Sequence, residues 1–330
     1  MTITTTVKAK TLAVNNKNAP HTSATMHPRN VHRNGYPMSA LCQSYPTLEA
    51  HVIKAKSGQQ SIDFSKAASV KALNAALLIH YYGLNMWDIP EGYLCPPVPG
   101  RADYIHGLAD LLAKDNKGVV PTGNRVIGLD IGVGANAIYP IIGSQTYGWD
   151  FVGSDIDDVA LKSATTLANN NPKLKPLLAV RKQHDKAYIF AGIIQPDDHF
   201  TFSLCNPPFH KSAEEAAMGS LRKVKGLGRN KQKSNNTGNA QPITANKLNF
   251  AGQSNELWCD GGELAFIQRM IKESVEYQSQ VGWFTCLVSK SLHLKAIETS
   301  ARYFGAKQFM KVDMGQGQKI SRFVAWKFRD

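Results

Sequence analysis

The chain of 330 residues has no run approaching the roughly 18 uncharged apolar residues that a membrane helix needs. A bilayer span is therefore not expected. Its first twenty residues, MTITTTVKAKTLAVNNKNAP, carry lysines but no apolar stretch, so a secretory signal is not expected either. Cysteine is scarce. Cys42, Cys95, Cys205, Cys259 and Cys286 are widely spaced and form no Cys-x-x-Cys pair, which argues against a disulfide framework and a zinc knuckle. A reducing, cytoplasmic compartment is the simplest reading. No His/Cys/Asp spacing suggests a metal ligand set, and His27, His32 and His106 read as structural or solvent-facing. No internal repeat is present. Acidic residues are also short: 25 Asp and Glu stand against 38 Lys and Arg.

The resulting net charge of +13 makes polyanions plausible partners. Residues 1–35 hold five basic residues and no acidic ones, and residues 211–250 hold eight basic residues against two glutamates. These two segments carry most of the excess. Both are rich in Asn, Thr, Ser and Gly, so both read as flexible. Mobile basic segments around a near-neutral body suit contact with a phosphate backbone; a solubilising tail and a solvated loop are the plainer alternative.

Hydrophobic spacing organises the rest. Val70, Leu73, Leu77, Leu78 and Tyr81 predict an amphipathic helix over 66–82. Four prolines between Pro90 and Pro99 predict a fixed loop, followed by a helix over 102–114. From residue 125 short apolar runs alternate with helical periods. Strands are expected at 126–129, 151–154, 177–180, 200–205, 282–288, 307–313 and 320–328. Helices are expected at 137–142, 158–169, 262–277 and 293–304. Asp260-Gly261-Gly262-Glu263 reads as a capping box with Asp in the first place. The alternation predicts an α/β fold with a mostly parallel sheet covered by helices on both faces.

Open sheets of this kind bind ligands at the carboxyl ends of their strands. The first strand ends in Asp130-Ile131-Gly132-Val133-Gly134-Ala135-Asn136. The glycines permit a tight turn and a close backbone approach. The spacing departs from the dinucleotide fingerprint G-x-G-x-x-G, and a carboxylate before the first glycine repels phosphate but suits an ammonium group. The second strand ends in Asp155, placed to accept hydrogen bonds from ribose hydroxyls. Ribose plus ammonium without phosphate describes S-adenosyl-L-methionine better than a nicotinamide dinucleotide. A glycine-rich turn with no ligand is the alternative.

Asn206-Pro207-Pro208-Phe209 at the end of the fourth strand is the sharpest signal. The prolines fix the backbone and remove two N–H donors. The Asn206 side-chain oxygen and the Pro207 carbonyl can then accept hydrogen bonds from one NH₂ group, and Phe209 offers an aromatic face for a planar base. N-methylation of an exocyclic amine needs that arrangement, because the lone pair of the adenine amino group is delocalised into the ring. Two acceptors favour a pyramidal nitrogen, and positioning and electrostatics lower the barrier. The base must leave its stack or be single-stranded already.

The ordered segments Met26-His27-Pro28-Arg29-Asn30, Asp88-Ile89-Pro90, 96–106, Asp130 to Gly134, Ile138-Tyr139-Pro140, Asn206 to Phe209 and Gly261 to Leu264 together resemble the class I (Rossmann-like) S-adenosylmethionine-dependent methyltransferases. More narrowly, they resemble the bacterial large-subunit ribosomal RNA adenine-N6 methyltransferase F family and its eukaryotic relatives acting on small nuclear and messenger RNA. The resemblance implies a seven-stranded sheet plus a small, mainly helical N-terminal module. The chain then divides into a disordered basic tail over 1–25, the module over 26–115 covering the cofactor and RNA sites, and the methyltransferase domain over 116–330 with a flexible basic loop at 211–255; the tail and the loop are read from composition, and 218–250 has no counterpart in the resemblance. The resemblance implies methyl transfer to an adenine of 23S ribosomal RNA, at position 1618, by a cytoplasmic monomer acting on that RNA or on a large-subunit assembly intermediate. Arg101 is implied to bind the methionine carboxylate of the cofactor, with further cofactor contacts from Gly132, Asp155 and Asn206; Asp130, Gly134 and Asn136 are added as cofactor contacts from the glycine-rich turn itself. Asn136 departs from the small residues common at its position. Asn206, Pro207, Pro208 and Phe209 form the catalytic pocket; Phe209, Arg29, Lys211, Arg222 and Lys223 are the expected RNA contacts. Three alternatives stand beside this reading. Glutamine methylation in a protein usually pairs the motif with Tyr, methylation of DNA adenine uses the same motif, and a ribosome-assembly factor could keep the fold without catalysis.

Overall fold

The computed structural model describes residues 25–212, 215, 258–316 and 319–329. Most of the tail 1–25 and of the loop 211–255, including Arg222 and Lys223, lies outside the described residues. Chain order runs α1 (Met38–Ser44), β1 (Val52–Lys54), β2 (Gln60–Ile62), α2 (Ala67–Tyr82), α3 (Val98–Asp115), β3 (Ile127–Ile131), α4 (Ile138–Tyr147), β4 (Asp150–Asp155), α5 (Asp158–Asn170), β5 (Leu178–Lys182) and β6 (Phe200–Cys205). It closes with α6 (Gly262–Ser274), β7 (Val281–Leu287), α7 (Leu294–Tyr303), β8 (Gln308–Gln316) and β9 (Lys319–Lys327). Among the described residues no helix is long and apolar enough to cross a membrane.

Seven strands form one sheet in the order β5-β4-β3-β6-β7-β9-β8. β3 pairs in parallel with both β4 and β6, and β9 runs antiparallel to both its neighbours. The connections from β3 lead outward to β4 and β5, and β6 then returns to the other side of β3. That reversal opens a crevice at the carboxyl ends of β3 and β6. Alternating side chains feed two cores. Phe323 and Ala325 join one, while Val324 and Trp326 join the other. Successive residues point to opposite faces, so the sheet is buried on both sides. Close packing demands glycine at its centre: a Cβ on Gly128 would meet Phe202 at 2.6 Å and Phe151 at 2.7 Å.

The segment before β3 packs on the face that holds Phe151, Phe202 and Phe323, in one continuous core with the sheet. Two expectations change here. α2 is not amphipathic: residues from Ala72 to Leu78 are all buried. It packs against α1 on one side and α4 on another, and Asn74 and Lys71 donate to the Pro96 and Ile89 carbonyls of the proline-rich loop laid across it. α3 begins at Val98, four residues earlier than the prolines suggested, with Pro99 in its first turn. First-turn N–H groups have no intrahelical partner, so proline is tolerated there. Arg101 thus stands on a helix rather than in a loop.

Residues 25–33 are clamped to α3. His27 N–H and the Asn30 amide both donate to Asp103. Arg29 donates to Tyr147 Oη at 2.9 Å, to the His106 carbonyl at 3.1 Å and to Asp110 at 2.8 Å. His32 bonds Tyr82 Oη at 3.0 Å, and His106 bonds Tyr147 Oη at 2.7 Å. Burial pushes His32 down to about 4. Burial, with the neighbouring His27 and Arg29, pushes His106 down to about 4. Both rings are neutral in the fold at neutral pH. Stability from them is complete above their unfolded value near 6.5 and declines as pH falls toward about 4, since the unfolded chain takes up the protons first. Thermal midpoints should therefore fall steadily between pH 6.5 and 4. The fall should be shallower in a His32→Gln/His106→Gln variant, and parallel pH slopes for the two proteins would contradict this.

Candidate active site

A cavity of about 680 Å³ occupies the crevice. Its wall includes Arg101, Gly132, Gly134, Asn136, Asp155, Asn206 and Pro208, so the structure brings together most of the residues singled out in the sequence. Each arrives for a local reason. Gly132 and Gly134 hold φ of +74° and +63°, which only glycine adopts without strain. Above Gly132 a Cβ would meet nothing within 4 Å, leaving room for a ligand against the backbone. Gly134 N–H donates to Asp155 Oδ2 at 2.9 Å and Asp157 N–H donates to Oδ1 at 3.0 Å. The Asp155 carboxylate is thereby fixed at the end of β4, with lone pairs left for hydroxyl donors. Burial raises its carboxyl above the ordinary range, and these backbone donors oppose the rise.

Asn136 lines the cavity, but its side chain serves the turn. Its oxygen accepts from Ile138 N–H at 3.1 Å, beside the left-handed Ala137, and its amide reaches the Leu94 carbonyl at 3.4 Å. That explains an asparagine where the resemblance has small residues. Arg101 donates to Tyr139 Oη at 2.9 Å and lies over that ring. Among the described residues no carboxylate forms a salt bridge with Arg101.

Asp130 is completely buried, beneath the cavity rather than in its wall. Among the described residues neither of its carboxylate oxygens has a hydrogen-bond partner. Burial, reinforced by the Asp155 carboxylate and opposed by Arg101, holds its carboxyl well above the ordinary range. At the end of β6, Asn206 is half-buried, Pro207 is buried, and Asn206 Oδ1 is also without a partner among the described residues. Phe209 is half-buried just past the wall. Lys211 is exposed, with its stem against the start of α6, where a Cβ on Gly262 would meet Lys211 Cγ at 2.8 Å. Arg29 is not brought to the cavity. Its guanidinium is engaged at Tyr147, the far end of α4.

The expected capping box is absent. Gly261 caps α6 without a side-chain bond. Glu263 is buried and accepts instead from Ser289 N–H, Lys290 N–H and the His293 ring. It ties α6 to the loop after β7, because a left-handed Gly261 turns the first helical residues inward. The loop from Gln183 to Ile189, which also lines the cavity, was not singled out. Its position after a parallel strand was the available signal. Glu273 holds it in place by accepting three backbone N–H bonds from Ile189, Phe190 and Ala191. Trp258, Cys259, Phe266 and Arg269 complete the wall and had no motif to mark them.

The donor set fits S-adenosylmethionine. Paired buried acceptors at Asp130 suit an ammonium, Asp155 suits ribose hydroxyls, Arg101 suits a carboxylate, and Gly132 leaves clear space. Fold and site together define a class I S-adenosylmethionine-dependent methyltransferase. A family described as RNA methyltransferase matches residues 20–330, and the chain belongs to it. It is 50% identical over 312 residues to the ribosomal RNA large subunit methyltransferase F of Pseudomonas syringae pv. syringae, covering 94% of this chain and 92% of that protein. It is 49% identical over 303 residues to the protein of the same name from Flavobacterium johnsoniae, covering 92% and 93%. Among solved structures, the catalytic domain of human METTL16 in complex with MAT2A 3'UTR hairpin 1 superposes with a TM-score of 0.73 at 29% identity, covering 93% of this chain and 96% of that one. The N-terminal domain of human METTL16 in complex with SAH gives a TM-score of 0.69 at 26% identity, covering 92% and 99%.

A raised carboxyl pKa means that ionisation favours the unfolded chain, so Asp130 withdraws stability as pH rises above the ordinary carboxylate value. Without cofactor, Asp130→Asn should therefore melt higher than the parent at pH 8, match it near pH 4, and bind S-adenosylmethionine more weakly. An unchanged or lower midpoint at pH 8 would contradict the role of Asp130.

Proposed function

We propose that the protein transfers a methyl group to the exocyclic N6 of an adenine in 23S ribosomal RNA, with position 1618 implied by the family resemblance. The observation that carries this is Asn206 Oδ1, a buried acceptor without a partner in the cavity wall, followed by two prolines. Membership of an RNA methyltransferase family and relatives named for the large ribosomal subunit support RNA as the substrate.

When bound, S-adenosylmethionine supplies a sulfonium-activated methyl group. Arg101 would hold its carboxylate and Asp155 its ribose hydroxyls, and Asp130, beneath the wall, would favour its ammonium. Asn206 Oδ1 and the Pro207 carbonyl accept the two amino hydrogens of the target adenine and draw its nitrogen toward a pyramidal form. The gain lies in orientation and in acceptors already in place before the reaction. No general base is required before attack, because the methylated nitrogen is strongly acidic and releases its proton afterwards. Phe209 stacks on the base, which enters flipped or single-stranded. Lys211 contacts phosphate beside the cavity, and Arg222 and Lys223 extend that contact. Phe in place of Tyr after the prolines and the basic segments count against glutamine methylation. Acceptors kept unsatisfied at this edge count against a fold retained only as a scaffold. The protein acts in the cytoplasm as a monomer, on naked RNA or an assembly intermediate.

The test is transfer from methyl-labelled S-adenosylmethionine into RNA, DNA and protein from cells lacking the gene, followed by nucleoside analysis. Label is expected in N6-methyladenosine of large-subunit ribosomal RNA. Label in protein glutamine or in DNA would overturn the reading.

A further inference from the structure

The cavity wall holds one more polar atom that the fold leaves unsatisfied. Among the protein's five tryptophans, four donate their indole N–H within the structure. Trp87 donates to the Asn136 carbonyl at 3.1 Å and Trp149 to the Pro121 carbonyl at 2.8 Å. Trp283 donates to Asp115 at 2.7 Å and Trp326 to Ser274 Oγ at 3.0 Å. Trp258 is the exception: its Nε1 is buried and has no partner among the described residues. Buried indole N–H groups ordinarily find an acceptor, and leaving one unpaired is unfavourable. Trp258 is also the tryptophan that lines the cavity, with Pro208, Phe266 and Arg269.

Its place is fixed by the motif itself. Trp258 pairs in a parallel bridge with His210, which follows Phe209, and Cys259 N–H donates to the His210 carbonyl at 3.1 Å. The chain that leaves the site after Phe209 and the chain that returns to it are zipped together there. An unpaired donor, Trp258 Nε1, and an unpaired acceptor, Asn206 Oδ1, thus belong to one cavity wall.

We propose that Trp258 is a specificity-determining residue whose indole N–H donates to a ring nitrogen flanking the target amino group, N1 or N7 of adenine. This rests on the adenine reading given above. Adenine places a donor, the amino group, beside an acceptor, the ring nitrogen, which complements an acceptor and a donor in the wall. Guanine presents a carbonyl oxygen to Asn206 on either edge; read at N1 it also presents an N–H to Trp258, so both contacts become repulsive, whereas read at N7 it keeps the Trp258 contact and loses the Asn206 one. A site built to bond a polar edge rejects the base that lacks it, because its own buried groups are then left unpaired. Phenylalanine at this position could fill the space but could not read the nitrogen.

The experiment compares the parent protein and Trp258→Phe on RNA carrying adenosine, 1-deazaadenosine or 7-deazaadenosine at the target. Cofactor affinity and melting temperature are measured alongside to confirm folding. The parent should lose about tenfold or more in kcat/KM on one of the two deaza substrates, the usual scale for one buried hydrogen bond. Trp258→Phe should lose a similar factor on adenosine, bind cofactor unchanged, and lose nothing further on that same deaza substrate. Parent-like kcat/KM on adenosine, or losses that multiply on both deaza substrates, would overturn the proposal. Product analysis separates the two readings. N6-methyladenosine formed without this coupling defeats the Trp258 inference alone, whereas a different product defeats the adenine reading beneath it.

Discussion

Acceptor oxygens held away from both water and internal partners are what the rest of this fold supports. Asn206 Oδ1 and both oxygens of Asp130 stand at the carboxyl edge of β6 and β3 in that condition. Each such group is unfavourable by about 1–3 kcal/mol when nothing satisfies it. The double-sided sheet, with Leu129, Phe202, Phe284 and Trp326 fully or almost fully buried, supplies the stability that offsets them. A ligand that brings the missing donors recovers that energy in the bound state. On the proposed reading those donors are the ammonium of the cofactor and the amino group of the target base.

Around these atoms the chain is held by side chains that face away from the chemistry. Glu273 fixes the loop after β5, Glu263 fixes the loop after β7, and Asn136 fixes the turn after β3. All three accept backbone N–H groups at loops that have no strand or helix to satisfy them. Arg101 reaches the cavity because α3 starts at Val98 and is clamped by Asn30 through the Pro99 carbonyl and Asp103. The N-terminal segment is thereby joined to the site through α3.

Much of this was legible in the sequence. The strands of the sheet and the helices between them follow from apolar runs and 3.6-residue spacing, and their ends placed Asp130, Asp155 and Asn206 at one edge. The failures are physical. β1 and β2 are three residues each, too short to show a period. α2 is buried almost all round, so its apolar stripe understated its burial. Pro96, Pro97 and Pro99 hid the start of α3, because proline ends a helix and also suits its first turn. Glu263 matched a capping pattern while its carboxylate serves another loop. Trp258 lies at the end of a long polar, basic stretch, where no periodic signal marks a single cavity residue.

The central claim is that Asn206 works as an acceptor. Single-turnover methyl transfer to target RNA, measured for the parent, Asn206→Asp and Asn206→Ala, tests it most directly. An aspartate keeps acceptor oxygens at that position and exchanges the amide donor for a carboxylate charge, whereas alanine loses acceptor and donor alike. The account predicts substantial transfer by Asn206→Asp and none detectable by Asn206→Ala, with both variants still binding S-adenosylmethionine. Equal loss in the two variants would show that the amide N–H₂ matters rather than the oxygen, and would contradict the account.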